Sequence, residues 1–258
     1  MNIDIYKGFA VNVSSNDNSW NHGLVCDKPR FERTWEKEVK TPMKKSGNSF
    51  VEITLKEAKE IIEKHKKNLA IVLDSNVTND EAKKIKTFAE KHGLQIAAIF
   101  DEGQSTAKLA NIFTSKRIKL EVELTDYPLL KPFIHIAKKQ GAIITNENYD
   151  IAIVSAPAKE ESVPTIVMHK GLNEAGLKQL GFDNKLPKAE SYLIVGTADI
   201  NVKGFKISMG YNKNADLILP LPAWISRSGK IINLEGRELE VKTILKGISI
   251  LDILSKVF

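Results

Sequence analysis

The chain has 258 residues, of which 42% are hydrophobic and 27% are charged, and its formal net charge is +6 at pH 7. This is enough for one large domain or for two smaller α/β lobes, each with its own core. The composition excludes a transmembrane helix, because the sequence has no apolar run of about 18 residues. Lysines alternate with glutamates along predicted helix faces, a pattern that is typical of solvated helix surface and argues against nucleic-acid binding.

Two features bear on the cellular compartment. The N-terminal residues lack the basic and apolar regions of a signal peptide. The single cysteine, Cys26, excludes an internal disulfide and is typical of a reducing compartment. We therefore expect a cytoplasmic protein.

Residues 1–50 are predicted to form a small β-rich segment, in which alternating apolar residues over 3–13 indicate a hairpin that turns near Gly8. A first α/β lobe is predicted over 51–135. Thr54 followed by Glu57 is the capping-box pattern of a helix N-terminus.

In this first lobe, the uninterrupted apolar run at 69–73 predicts a buried parallel strand. An amphipathic helix is expected over 78–92, and a further strand over 96–100. The order strand, helix, strand indicates parallel pairing.

Residues 136–258 are predicted to form a second α/β lobe. Its strands are expected at 143–144, 149–154, 165–168, 191–195, 205–208, 217–219 and 239–241. An amphipathic C-terminal helix is expected over about 243–257. Together these elements predict an α/β fold with two Rossmann-like, parallel-sheet lobes and a small N-terminal β-rich segment.

The stretch 214–237, NADLILPLPAWISRSGKIINLEGR, contains the strand at 217–219 and a long loop after it. Pro220 and Pro222 cannot donate to a strand ladder, so the strand must end before them. Loops at the carboxyl ends of strands are where α/β sheets bind their ligands. From the residues alone, this loop is either a structural crossover or a ligand-facing loop.

This stretch resembles the signature ADVVLP…EGTFTNTEGR of the molybdopterin oxidoreductase superfamily. That superfamily includes formate dehydrogenases, nitrate reductases and the large iron–sulfur subunit of respiratory complex I. The family usually has an acidic residue before the first glycine, where this chain has Ser226 to Ser228.

A second resemblance lies near the N-terminus. The sequences WNHGLVCDKPRF at 20–31, KTPM at 40–43 and FVEITLKEA at 50–58 are similar to NHGWLCDKGRF, TP and FVEVSWEEA of the same superfamily. A weaker likeness at 173–182 narrows the resemblance to the complex I branch. The chain thus resembles a truncated molybdopterin-like domain of the large iron–sulfur subunit of complex I.

In that family, the cysteine that corresponds to Cys26 is the last of four ligands of a [4Fe–4S] cluster. Such a cluster needs several thiolates, and this chain has one cysteine. Cys26 is therefore interpreted as a lone remnant ligand position, with no metal. The five histidines are dispersed and lack acidic or cysteine neighbours at ligand spacing, and no catalytic residue is predicted.

The resemblance implies a non-catalytic structural subunit in the peripheral arm of a complex I-like NADH:quinone oxidoreductase, with no cofactor of its own. Its expected partners are other respiratory subunits, especially an iron–sulfur subunit, and not nucleic acid. The chain would lie in the cytoplasm, held near the membrane by its complex and not inserted.

Two alternatives stay open. The chain could be the pterin-cofactor-binding subunit of a molybdenum or tungsten oxidoreductase, with Asn76, Ser155, Asn233 and Arg237 as the polar contacts. It could instead be a free-standing small-molecule-binding module that uses the same cleft.

Overall fold

A computed structural model of the protein describes residues 2–6, 9–14, 39–158, 162–196, 198–244 and 247–258. The two N-terminal strands β1 (Asn2–Tyr6) and β2 (Phe9–Ser14) pair antiparallel, which confirms the predicted hairpin. The motif at 20–31, with its Cys26, lies outside the described residues.

The remaining strands are β3 (Met43–Ser46), β4 (Ser49–Glu52), β5 (Leu69–Leu73), β6 (Gln95–Ala98), β7 (Arg117–Glu121), β8 (Ile143–Ile144), β9 (Ile151–Ser155), β10 (Thr165–Met168), β11 (Ser191–Val195), β12 (Phe205–Met209), β13 (Leu217–Leu219), β14 (Gly229–Ile232) and β15 (Glu238–Val241). The α-helices are α1 (Leu55–His65), α2 (Asn79–Lys91), α3 (Asn111–Thr114), α4 (Leu130–Lys139), α5 (Glu174–Gln179) and α6 (Ile250–Val257). Short 3₁₀ turns cover Lys66–Asn68 and Trp224–Ser226.

The predicted α/β fold with two parallel-sheet lobes is confirmed, but the lobes divide the chain differently. The first compact unit comprises Met1–Thr34, Asp101–Lys170 and Leu234–Arg237, and the second comprises Trp35–Phe100, Gly171–Asn233 and Glu238–Phe258. The predicted boundary at 135/136 therefore falls inside the first unit. The reason is that β11, far along the chain, pairs directly with β5 and so returns the chain to the sheet that it left at β6.

The first unit has a four-stranded sheet of order β10-β9-β7-β8, in which all neighbours are parallel. Helices α3 and α4 supply apolar side chains to its main core. Phe113 of α3 stacks on Phe133 of α4 with ring centroids 5.0 Å apart. Phe133, Ile118 and Ile153 are fully buried, so the helix pair covers the central strands.

The second unit has a seven-stranded sheet of order β4-β3-β13-β12-β11-β5-β6. The five strands from β13 to β6 are parallel, and the β3–β4 hairpin adds antiparallel strands beyond β13. Every residue of β5, β11 and β13 is buried, as expected for parallel strands that are covered on both faces. One face packs against apolar residues of α1, α2 and α6.

The helices of the second unit begin where the sequence supplies caps. Thr54 with Glu57, Thr78 with Glu81, and Ser249 with Asp252 each form a complete capping box. The last of these corrects the predicted C-terminal helix, which begins at Ile250 and not near residue 243. Ser249 has extended backbone and bonds the N–H of Asp252, so the helix cannot extend further toward the N-terminus.

The order of the parallel strands reverses between β5 and β11. From β5 the chain proceeds to β6 on one side, whereas β11, β12 and β13 follow one another on the other side. The carboxyl ends of such a strand pair are the usual ligand position in open α/β sheets. The residues at these two ends are Asp74 to Asn76 after β5 and Gly196 after β11.

Candidate functional site

The carboxyl ends of β5 and β11 touch each other. Asp74 is 5% exposed, and its backbone N–H donates to the Val195 carbonyl at 3.1 Å. Gly196 has φ +130°, and a Cβ at this position would lie 2.1 Å from Cγ of Asp74. The Asp74 carboxylate accepts the Asn76 N–H at 2.8 Å. The Asp74 carboxylate therefore lies directly against Gly196, where no side chain would fit.

The N-terminus of α2 follows β5 and is the natural position for an anionic ligand. Here the Thr78 hydroxyl accepts the Glu81 N–H, and the Glu81 carboxylate accepts the Thr78 N–H. Asp80 adds a second carboxylate to the first turn. Negative charges of the protein itself thus stabilise the positive end of this helix.

The loop that resembles the family signature packs against this helix end. Arg227 donates from Nε to Oε1 of Glu81 at 2.8 Å, and from Nη2 to Oε2 of Glu81 and to the Asn76 carbonyl. The Lys230 N–H donates to Oδ2 of Asp80 at 3.0 Å. Arginine and backbone donors therefore occupy the two carboxylates.

Glycine is required in this loop. Gly229 has φ +133°, and a Cβ there would lie 2.6 Å from Oγ1 of Thr78 and 2.8 Å from Oδ2 of Asp80. The Thr78 hydroxyl donates to the carbonyl of the preceding Ser228 at 3.1 Å. The loop backbone therefore lies directly on the helix cap, with no room for a ligand group between them.

Asn173 joins three segments of the second unit. It is fully buried, and its side-chain amide donates to the Val77 carbonyl at 2.8 Å and to Oδ1 of Asn79 at 2.9 Å. Its Oδ1 accepts the N–H of Ile232 in β14 at 2.8 Å. A Cβ on Gly176 would lie 2.0 Å from that oxygen, so the first turns of α5 fit only with glycine. The Asn173 amide thus binds the α2 end, α5 and β14 together.

In the first unit, Glu235 has a comparable structural role. Its side chain is 3% exposed, its Oε1 accepts the Leu109 N–H at 2.8 Å, and its Oε2 lies 3.0 Å from Nε of Arg237. The Arg237 side chain is 44% exposed. The ending Leu-Glu-Gly-Arg of the signature-like stretch is therefore held by a buried carboxylate.

The four predicted pterin contacts are divided between the units. Asn76, which is exposed, and Asn233, which is buried at the end of β14, belong to the second unit. Ser155, exposed at the end of β9, and Arg237 belong to the first. Sequence reasoning missed Arg227, because its partner Glu81 lies 146 residues away and no local pattern indicates the pair.

The phosphates of a pterin cofactor are anionic, so a site that binds them needs cations or N–H donors that are not already paired. The anion position at the α2 N-terminus carries Asp80 and Glu81, which would repel a phosphate. Arg227, a cation that contacts this helix end, is paired with Glu81, and its side chain is 9% exposed. This end of the sheet does not fit an anionic cofactor.

The remaining electrostatics serve local structure. Backbone N–H groups of Arg117 and Lys116 donate to Asp150 and lower the pKa of its carboxyl, and bonds from Thr54 and Ser249 lower the pKa values of Glu57 and Asp252. Within the described parts of the chain, no group of three or more His, Cys, Asp or Glu side chains could hold a metal ion. No described helix is long and apolar enough to cross a membrane.

Comparison with protein-family models and with curated proteins found no match for this chain. The resemblance to the molybdopterin oxidoreductase superfamily therefore remains a prediction from the quoted motifs.

Proposed function

We propose that this chain is a non-catalytic structural subunit in the peripheral arm of a complex I-like NADH:quinone oxidoreductase. Its partners would be other respiratory subunits, especially an iron–sulfur subunit. The quoted motifs suggest the complex, and the internal use of the loop residues supports the structural role.

One observation carries the proposal. The loop of the signature-like stretch binds the N-terminus of α2 through Arg227, Ser228 and Lys230, so the protein's own groups fill the position of an anionic ligand. A cofactor-binding loop needs donors that face the ligand. In this chain, the donors of the loop face Glu81 and Asp80 instead.

The alternative of a pterin-binding subunit predicts the opposite use of these groups. Arg227 would have to leave Glu81 to meet a phosphate, and the buried carboxylate would then lose its partner. Removing one partner of a buried ion pair costs about 3–5 kcal/mol. The charge distribution at this end of the sheet therefore favours the structural role.

Purification of the tagged chain from its own host in mild detergent, followed by identification of the attached proteins, tests the proposal. We expect respiratory subunits, with an iron–sulfur subunit among them, at a constant ratio to the chain. An untagged strain is the control for adventitious binding. Recovery of the chain alone at native abundance would contradict the proposal.

A further inference from the structure

Strand β4 is the outermost strand at one end of the seven-stranded sheet, and no other described strand pairs with its outer side. The pairing register shows which backbone groups face outward. The Lys45 N–H donates to the Asp216 carbonyl beside β13, so the backbone N–H and C=O of Lys45 point toward β13. Those of its neighbour Lys44 then point the other way, toward β4. Because Lys44 pairs with Val51, the groups of Val51 point inward and those of Phe50 and Glu52 point to the open edge.

The outer strands β6 and β10 of the two larger sheets differ from β4, because other segments bond to their outward backbone groups. At β6, the N–H of Ala98 donates to the Asp183 carbonyl at 2.9 Å. At β10, the Thr165 carbonyl accepts the N–H of Thr106, and the N–H of Val167 donates to Oγ of Ser105. Among the described residues, no hydrogen bond reaches the outward backbone groups of Phe50 or Glu52. Strand β4 therefore presents unpaired donors and acceptors.

Apolar side chains are exposed along this edge. Val51 is 47% exposed on one face of the hairpin, and Tyr211 is 58% exposed on the other, where it contacts Phe50 edge-to-face with ring centroids 6.0 Å apart. A partner strand would extend the sheet, and its alternating side chains would lie beside Val51 on one face and beside Phe50 on the other. Exposed apolar groups on an open edge mark a surface that binds another chain.

The charge around β4 selects the partner. Between residues 40 and 57 the chain has four lysines and two acidic residues, Glu52 and Glu57, and the Glu57 carboxylate lies near Lys44 and accepts the N–H of Thr54. These lysines, at 40, 44, 45 and 56, are all exposed. A second copy of the same edge would bring the same excess of lysines close to this one, and the two positive surfaces would repel each other. An acidic strand would be attracted instead.

We propose that the edge of β4 binds an extended acidic segment of a partner protein as an added strand. The outward N–H and C=O groups of Phe50 and Glu52 form the ladder, and the lysines on β3 and on either side of the hairpin attract the acidic side chains. The inference rests on the proposed structural role, because it names the surface by which the chain meets its complex. The segment alternates acidic and apolar residues, since alternate side chains of a strand face opposite sides.

The test uses the full chain and a short synthetic peptide that alternates glutamate and valine, with a lysine–valine peptide as the charge control. The decisive variant is Glu52→Pro. It removes an outward N–H but no bond of the β3–β4 ladder, and it also removes a negative charge that would repel the peptide. Glu52→Ala removes the same charge and keeps the N–H. Thermal midpoints establish that both variants fold.

We expect the glutamate–valine peptide to bind the wild type and Glu52→Ala, roughly fivefold more weakly to Glu52→Pro, and more weakly at high salt. The lysine–valine peptide should not bind. Equal affinity for the two variants, equal binding of both peptides, or no binding to the wild type would overturn the proposal. Self-association of the wild type that Glu52→Pro abolishes would overturn it as well, because a second copy would then occupy the edge.

The peptide titration and the proposed function can fail separately, although the inference rests on that function. The titration uses the isolated chain, whereas the proposed function depends on the proteins recovered from the host. If the isolated chain binds the peptide but no respiratory subunits are recovered with it from the host, the proposed function is contradicted and the edge proposal is supported. Recovery of respiratory subunits with a chain that does not bind the peptide would contradict the edge proposal and support the proposed function.

Discussion

Arg227 and Glu81 form an ion pair across 146 residues of sequence, with Nε of the arginine 2.8 Å from Oε1 of the carboxylate. Both side chains are nearly buried, with exposed fractions of 9% and 16%. The pair connects the loop after β13 with the first turn of α2. It makes the loop part of the structure of the second unit, and several consequences can be measured.

Arg227→Ala should destabilise the protein by about 3 kcal/mol, because it leaves the Glu81 carboxylate without its cation in a mostly buried position. Urea denaturation measures the change. The matched control is Lys230→Ala, which removes the ion pair between Lys230 and Glu238. Both side chains of this pair are 55% exposed. The control should have a much smaller effect, and equal effects of the two variants would contradict the role of the Arg227 pair.

Asn173→Ala should cost about 2–4 kcal/mol, because three buried backbone and side-chain groups lose their partner at once. Asn173→Asp should be worse at neutral pH, since its carboxylate would face the Val77 carbonyl and the Asn79 oxygen. Acidification should recover part of the loss, as the protonated acid can donate one hydrogen bond. A loss that does not change with pH would show that the amide donors are unimportant.

Gly176→Ala should destabilise α5 by steric conflict with the Asn173 side chain, although alanine normally favours a helix. The double variant with Asn173→Ala should be less destabilised than the sum of the single changes, by roughly 0.5–3 kcal/mol. Denaturation of the four proteins of this cycle measures the coupling. Strict additivity would mean that the glycine is not required by the asparagine.

The lowered pKa of Asp150 predicts an acid-sensitive contribution in the first unit. A pKa that is lower in the folded state means that the folded protein favours the carboxylate. The contribution is then complete above the usual value of 3.8 and is lost as the pH falls through the lowered value. Asp150→Asn should therefore reduce stability at neutral pH and flatten the acid limb of a stability profile against pH. An unchanged acid limb would exclude this role for Asp150.

The sequence contained the local features of the fold. Thr54 with Glu57 predicts a helix start from two residues three positions apart, and Pro220 predicts the end of β13, because these signals need no distant partner. Asn173 could not be interpreted in the same way. Its partners Asn79 and Ile232 lie 94 and 59 residues away, so only the assembled unit shows that its amide is a brace.

The boundaries of the two lobes could not be predicted from the sequence for the same reason. A strand with the composition of β11 can pair with any buried parallel neighbour, and its pairing with β5 is a property of the completed sheet. The sequence also did not show how the predicted site residues are used. Arg237, proposed as a pterin contact, forms an ion pair with Glu235 of the same short turn.

The molybdenum, tungsten and pterin content of the chain, purified from its own host, tests the central claim most directly. Elemental analysis and extraction of the oxidised pterin measure it against the protein concentration. A non-catalytic structural subunit predicts amounts far below one per chain, with respiratory subunits still attached. Stoichiometric molybdenum or tungsten with an extractable pterin would contradict the account and would make the end of the sheet a cofactor site.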